Sequence, residues 1–370
     1  MDSVIGELSR SWNKVFLDNR PGVWDNTWLR EPYWQRDLIA ARTLLLADEF
    51  NVMAPESAMH GYVKKIWHAA GLEIGRNIIT YADEVSRTEK LLALYRDNFC
   101  IAMQWPMPES KLPAWVYHVP RELIIYLNNK HNIDYICPAE SRPLIYRGGI
   151  NGALAFVNSN LLWPVVIKAG LAQPSAGGDD VHICQSAEES LRAIGSFEIL
   201  SGIVIESWVE HHRNMCAQFV VAGPGEVTYL GASEQIIDGG TKHVGNRFGK
   251  SGVIPQDALS SLRDIAAFAS SMGYTGIVGF DVLIADEPPT YKIIDANFRF
   301  NGSTVALLKL RNSGSELSTD DQVSSDIAVL YGSEQYKRLI QHIENGQSTP
   351  LAAIYVHASN MVHATMLNRT

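Results

Sequence analysis

"YKIIDANFRFNGST", residues Tyr291 to Thr304, sets a carboxylate, an amide and a guanidinium at alternate positions. Asp295, Asn297 and Arg299 share one parity, while Ile294, Ala296, Phe298 and Phe300 take the other. That is the period-two pattern of a strand with one polar and one apolar face. The preceding run, "GYTGIVGFDVLIADEPPT" (Gly273 to Thr290), is a second apolar strand candidate closed by a proline-rich connector, so a β-hairpin is predicted. Centring its turn near Pro288 puts Asp281 opposite Asp295. Two facing carboxylates repel. A hard cation such as Mg²⁺, held by one or two carboxylates plus nucleotide phosphates, relieves them, and Asn297 on the same face adds a third oxygen. Taken alone, a D-x-N-x-R run reads as a solvated strand face. The second aspartate at hairpin-matched spacing and the "NGST" that follows turn the reading toward a metal site.

Composition narrows the setting. At 370 residues the chain exceeds one ordinary core, so two or three subdomains are expected. With 46% hydrophobic and 19% charged residues it reads as globular. A formal charge of -9 argues against a nucleic-acid partner, while leaving room for a local basic pocket around a phosphate. Cys100, Cys137, Cys184 and Cys216 are far apart and form no CxxC pair, so neither a zinc module nor a disulfide framework is predicted, and a reducing, cytoplasmic location is expected. "MDSVIGELSRSWNK" lacks the basic start and apolar core of a signal peptide. "LLWPVVIKAGLA" is short and interrupted by Lys168, so no membrane span is predicted.

Along the chain, "RDLIAARTLLLADEF" has helical spacing, "NVMAP" reads as a strand, and "HGYVKKIWHAAGL" reads as a helix closing at Gly71. "QWPMPESKLPAW", with three prolines, is the best boundary. Beyond it come a helix candidate in "PRELIIYLNNKHN", an apolar strand in "WPVVIKAG" ending on Lys168, and the polar loop "LAQPSAGGDD". A helix follows in "SAEESLRAIGSF", with Ser186 and Glu189 at capping-box spacing. "GIVIESWVE", "AQFVVAG" and "VTYLGASEQIID" read as strands, "GGTKHVGNRFGKSG" as a glycine-rich loop, and Ala258 to Met272 as a long helix.

In this order, "PVVIKAG", the glycine loop, "IESWVE", and Asp281 with "DAN" resemble the ATP-grasp ligases, the superfamily of D-alanine–D-alanine ligase, biotin carboxylase and natural-product peptide ligases. The resemblance covers residues 116 to 310. It implies an α+β ATP-grasp fold, two α+β lobes sandwiching ATP. The loose similarity of "NVMAPESAMHGYVKKIWHAAGLE" to the pre-ATP-grasp domain of peptide-forming members adds a small α/β domain ahead of them. The implied division is an N-terminal domain at 1–115, a small lobe at 116–205, a large lobe at 206–330 and a C-terminal extension at 331–370.

The resemblance also implies roles. Asp281, Asp295 and Asn297 would hold Mg²⁺ against the phosphates of ATP. Lys168 and the loop residues Ser175, Gly177 and Gly178 would contact those phosphates, through backbone N–H groups in the loop's case. Glu206 would accept from the adenine amino group, and the backbone of Trp208 and Val209 would pair with the ring. Glu210 or Gln218 would take the ribose. The sequence departs from the family at two points. The first lysine of many relatives aligns with Arg121, with Lys130 as the second candidate. The arginine two residues before the first acidic ligand of D-alanine–D-alanine ligase is here Gly279, which leaves Arg299, Lys242 or Arg247 to meet the charge of a tetrahedral intermediate.

The implied activity is an ATP-dependent carboxylate–amine ligase working through an acylphosphate, with an amino acid or peptide as partner and a homodimer as an allowed assembly. A phosphotransferase and a nucleotide-binding protein without turnover are the alternatives. "GNRFGKS" imitates a P-loop but is one residue short and lacks a leading apolar strand. His211 and His212, being adjacent, point to opposite sides of a strand and read as a solvated pair.

Overall fold

The structure, a computed structural model, describes residues 5–22, 34–74, 77–159, 162–170, 180–197, 202–238, 240–249, 253–285, 291–312 and 322–369. The chain divides into two compact units, one of Met1–Arg121, Gly245–Ser251 and Gly302–Thr370, the other of Glu122–Val244 and Gly252–Asn301. The finer division at 115, 205 and 330 stands as a proposal, and its 206–330 segment contributes to both units.

The first unit opens with a parallel sheet. Its strands Val15–Asp18, Asn51–Pro55, Ile78–Tyr81 and Cys100–Met103 lie in the order third, second, first, fourth. Parallel neighbours need crossover connections, and helices supply them. The predicted helix runs Gly61–Ala69 and ends where Gly71 takes φ +64°, a left-handed conformation that glycine adopts without a Cβ penalty. The helix Glu84–Arg96 starts on a reciprocal cap between Asp83 and Ser86.

The same unit also contains an antiparallel arrangement of Gln322–Leu330, Met361–Arg369 and Ser348–Val356. Val63, Ile66 and Trp67 share a core with Tyr336, Ile343, Ala353, Val362 and Met366. The C-terminal extension is therefore built into one core with the N-terminal segment.

One expectation is corrected here. "GGTKHVGNRFGKSG" is not a loop throughout, because Lys242–Phe248 is a strand, with Asn246, Arg247 and Phe248 opposite Ser324, Val323 and Gln322. Backbone pairing to a neighbour distant in sequence overrides the local glycine signal. The P-loop imitation thus falls largely on a strand.

The second unit carries two sheets. One has the order Leu144–Gly148, Gly202–Ser207, Val165–Gly170, Val181–Cys184, all antiparallel. The helices Ile150–Val157 and Ala187–Ser196 bury Ala153, Val157 and Ile194 against Val165, Ile167, Ile203 and Ile205. Ser186 caps the second helix as its spacing predicts, its hydroxyl accepting from the Glu189 N–H. The other sheet sets Tyr291–Asn297, Gly276–Ile284, Arg213–Gly223 and Glu226–Asp238 side by side, again antiparallel. Among the described residues no helix is long and apolar enough to cross a membrane.

Candidate active site

The predicted hairpin has the predicted register: Asp281 faces Asp295, and Gly279 faces Asn297. Residues directly opposite on antiparallel strands share a sheet face, so the polar face extends across four strands. One row reads Ser233, Cys216, Asp281, Asp295, and the next Gly231, Gln218, Gly279, Asn297. Past Asp281 the pairing shifts by one, Val282 facing Ile293, which leaves Ile294 as the extra residue of a β-bulge. A bulge frees the extra residue's backbone from the ladder. The Ile294 carbonyl uses that freedom to accept from Lys168 Nζ at 2.7 Å.

The acidic pair is only partly compensated. Burial, and then the charge of Asp295, push the Asp281 carboxyl up to about 7. Gln235 Nε2 donates to Asp281 Oδ1 at 2.7 Å, and Asn297 Nδ2 donates to Oδ2 at 3.4 Å. Arg299 donates to Asn297 Oδ1 and is 8% exposed. Burial lowers its guanidinium pKa from the ordinary value, while Asp295 and Asp281 oppose that shift. Lys130 Nζ lies 3.5 Å from Asp295 and 3.2 Å from Asp180.

These residues fit a hard divalent cation. The donors are oxygens, two carboxylates face each other on one surface, and burial has left Asp281 reluctant to ionise without a further positive charge. Among the described residues no group of three or more His, Cys, Asp and Glu is arranged to hold a metal. Two carboxylates and an amide, completed by ligand oxygens, are the pattern a nucleotide-borne Mg²⁺ uses.

On the opposite strands, Lys168 and Glu206 form an ion pair at 2.7 Å, their side chains 5% and 3% exposed. Trp208 is half-buried; its backbone N–H donates to the Pro164 carbonyl at 3.2 Å, and its indole donates to Glu210 at 2.7 Å. The Val209 carbonyl is engaged by the His211 ring. Glu210 is exposed, whereas Gln218 is buried in the row of Gly279 and Asn297. Ser175, Gly177 and Gly178 lie outside the described residues.

The two departures from the family take a definite form. Arg121 Nε donates to the Met107 carbonyl at 3.0 Å, and it is Lys130 that ion-pairs at the acidic strand. At Gly279 an added Cβ would lie 2.4 Å from Asn301 Nδ2, so the space a longer side chain would need is already filled by this amide. Of the three cations named for the tetrahedral charge, Arg299 is the one bonded to Asn297 and within the field of Asp295 and Asp281. Lys242 and Arg247 are exposed on the Lys242–Phe248 strand.

Residue-by-residue reading missed Gln235, Asp180 and Asn128. The Asn128 carboxamide brackets the backbone of Phe298, accepting from its N–H at 3.0 Å and donating to its carbonyl at 3.4 Å. It thereby fixes the end of the Arg121–Asn128 helix against the segment between Asn297 and Arg299.

Comparison with known proteins bears on the family and the fold. Residues 13–125 match the family profile for the L-aspartate–L-methionine ligase N-terminal domain, and residues 153–297 match that for the L-aspartate–L-methionine ligase ATP-grasp domain. Among solved structures, N5-carboxyaminoimidazole synthetase from Staphylococcus aureus in complex with ADP aligns at TM-score 0.59 and 10% identity, over 95% of this chain and 92% of that one. The biotin carboxylase–β,γ-ATP complex from Campylobacter jejuni aligns at TM-score 0.56 and 11% identity, over 96% and 87%. The biotin carboxylase domain dimer of Hydrogenobacter thermophilus 2-oxoglutarate carboxylase, with MgADP, aligns at TM-score 0.56 and 13% identity, over 96% and 86%. At these identities the structural matches speak for the fold.

Proposed function

We propose that this chain, a member of the ATP-grasp ligases by its two profile matches, is an ADP-forming enzyme that condenses two amino acids, activating a carboxylate of aspartate for attack by the amine of methionine. The observation that carries the site is the pairing of Asp281 with Asp295, with Asn297 and Arg299 following on the same chain. The family descriptions supply the two amino acids.

In this reading Asp281, Asp295 and Asn297 hold Mg²⁺, which when bound supplies charge neutralisation at the phosphates. A substrate carboxylate oxygen attacks the γ-phosphorus, the bond to the β–γ bridging oxygen breaks, and ADP leaves. The amine then attacks the acyl carbon, the carbon–oxygen bond to phosphate breaks, and the amine's proton passes to solvent.

This chain's part is electrostatic and positional. Lys168 gives up its contact with Glu206 for a phosphate oxygen, and Glu206 is then free to accept from the adenine amino group. Arg299 holds the carboxylate oxygen on which negative charge grows. Gln235 keeps Asp281 oriented. Lys130, rather than Arg121, is the first lysine of the phosphate site. Glu210 and Gln218 both remain ribose candidates: Glu210 is exposed and accepts from the Trp208 indole, and Gln218 is buried and donates to Cys216 Sγ.

The test is turnover with ATP, Mg²⁺, L-aspartate and L-methionine, reading ADP and phosphate and identifying the dipeptide by mass spectrometry. Hydroxylamine in place of methionine is expected to yield the aspartyl hydroxamate. AMP with pyrophosphate, or full-rate phosphate release with water as the only acceptor, overturns the acylphosphate route. Amide formation from other amino acids but not from this pair overturns the substrate assignment alone.

A further inference from the structure

Lys130, its side chain 10% exposed, is held between two carboxylates of different standing. Asp295 belongs to the metal-facing strand. Asp180, 8% exposed, is where the chain re-enters the sheet beside Lys168, its carbonyl accepting from the Ala169 N–H at 3.0 Å. The ammonium sits closer to Asp180, at 3.2 Å, than to Asp295, at 3.5 Å. The turn that presents it is fixed at both ends. Asn128 brackets the Phe298 backbone, and Asn129 Oδ1 accepts from the His131 N–H. Burial works against the ammonium's charge, but Asp180 and then Asp295 outweigh it, while Arg299 is the opposing cation nearby.

A lysine paired with Asp295 alone would be driven out when a divalent cation took that carboxylate, since like charges a few ångströms apart in a poorly screened site repel strongly. A second carboxylate, at the turn just before a different strand and outside the metal-facing pair, lets it stay. We propose that Lys130 is an internal counter-cation of the metal site, occupying Asp295 until a nucleotide-borne metal displaces it, and that Asp180 is the positioning residue that retains the ammonium beside the phosphates during that exchange. Binding of metal without nucleotide is then weakened by competition with Lys130, and nucleotide and metal bind cooperatively because ATP offers the displaced ammonium a new anion. The inference rests on the metal-site reading proposed above.

The experiment is Mn²⁺ binding to the full-length protein without nucleotide, followed by the electron paramagnetic resonance signal of free Mn²⁺. Folding of each variant is checked by thermal melting. Lys130→Met is expected to tighten nucleotide-free Mn²⁺ binding on the order of tenfold or more, the least that removing a unit charge a few ångströms away should give. Asp180→Asn is expected to weaken it, because the ammonium then leans fully on Asp295. The double variant is expected to follow Lys130→Met, and ATP is expected to improve Mn²⁺ affinity less in Lys130→Met than in the parent protein. A structural role for the Asp180–Lys130 pair would move both single variants in the same direction, and that result, or no gain in Lys130→Met, overturns the proposal. The metal-site reading fails separately if Mn²⁺ binding in the presence of ATP is indifferent to Asp295→Asn.

Discussion

Two clusters of five charged side chains, one in each unit, each set three carboxylates against two cations, yet they are built to opposite ends. In the first unit Asp18, Asp37 and Glu84 meet Arg20 and Arg87. Arg87 is fully buried and holds Asp18 at 2.8 Å and Glu84 at 2.5 Å, while Arg20 holds Asp37 at 2.8 Å and also reaches Glu84. A further Arg87 donor closes on the Arg20 carbonyl at 2.8 Å. In the second unit Asp180, Asp281 and Asp295 meet Lys130 and Arg299, but two carboxylates face each other and the lysine contacts are 3.2 and 3.5 Å. Neutral amides do much of the bonding at Asp281. Equal charge counts therefore give a closed network in one place and an open one in the other. Guanidiniums can fork across carboxylates bidentately, whereas an ammonium is a point charge and amides bring none. The open cluster is the one with use for an additional cation.

Breaking the open cluster should cost function and leave the fold. Asp295→Ala is expected to abolish Mg²⁺-dependent turnover with an unchanged or raised melting temperature, because one of two opposed carboxylates is gone. Retained turnover in a folded variant would sink the metal assignment. The closed cluster should answer in the other currency. Arg87→Met strands Asp18, takes one of the two arginines that hold Glu84, and is expected to cost about 3–5 kcal/mol of stability, read by urea unfolding. A loss near zero would mean that these carboxylates find water or other donors. Arg299→Ala returns to the open cluster with a smaller effect. Losing a contact to growing negative charge lowers kcat on the order of a hundredfold, with ATP affinity nearly unchanged, and a change in ATP affinity instead would move Arg299 to the nucleotide.

The difference between the clusters also marks what sequence could reveal. Asp281, Asp295 and Asn297 were readable because a hairpin ties its two strands by a local rule, so pairing follows from where the turn is placed. Lys168 and Glu206 were readable as ends of apolar runs, although nothing local says that they pair with each other. Asp180, Gln235 and Asn128 come from a turn, another strand and a helix, and each reaches the site through a tertiary contact that periodicity does not encode. The choice of Lys130 over Arg121 at the acidic strand has the same cause: two basic residues nine positions apart on one helix and its following turn look alike until packing orients them. The Lys242–Phe248 strand was hidden for a different reason. Glycines punctuate its sequence, and the Gln322–Leu330 neighbour that secures part of it lies more than seventy residues away.

The last expected effect is on pH dependence, and it tests whether the open cluster carries strain as well as function. Burial and Asp295 raise the Asp281 carboxyl from 3.8 to about 7 in the folded protein. Between those values the folded chain binds a proton that the unfolded chain has released. Stability must therefore fall as pH rises through that window, and the fall is complete above about 7. Asp281→Asn removes the ionisable group while keeping its size. Urea unfolding of metal-free protein should show the variant gaining on the parent as pH rises from about 4 to about 7, with a constant difference above that. Mg²⁺ with ATP favours the ionised carboxylate, so in their presence the parent's pH dependence over the window should flatten. Parallel stability profiles for parent and variant without metal would mean that Asp281 ionises at an ordinary carboxylate pH, and that Lys130 and Arg299 already neutralise the pair.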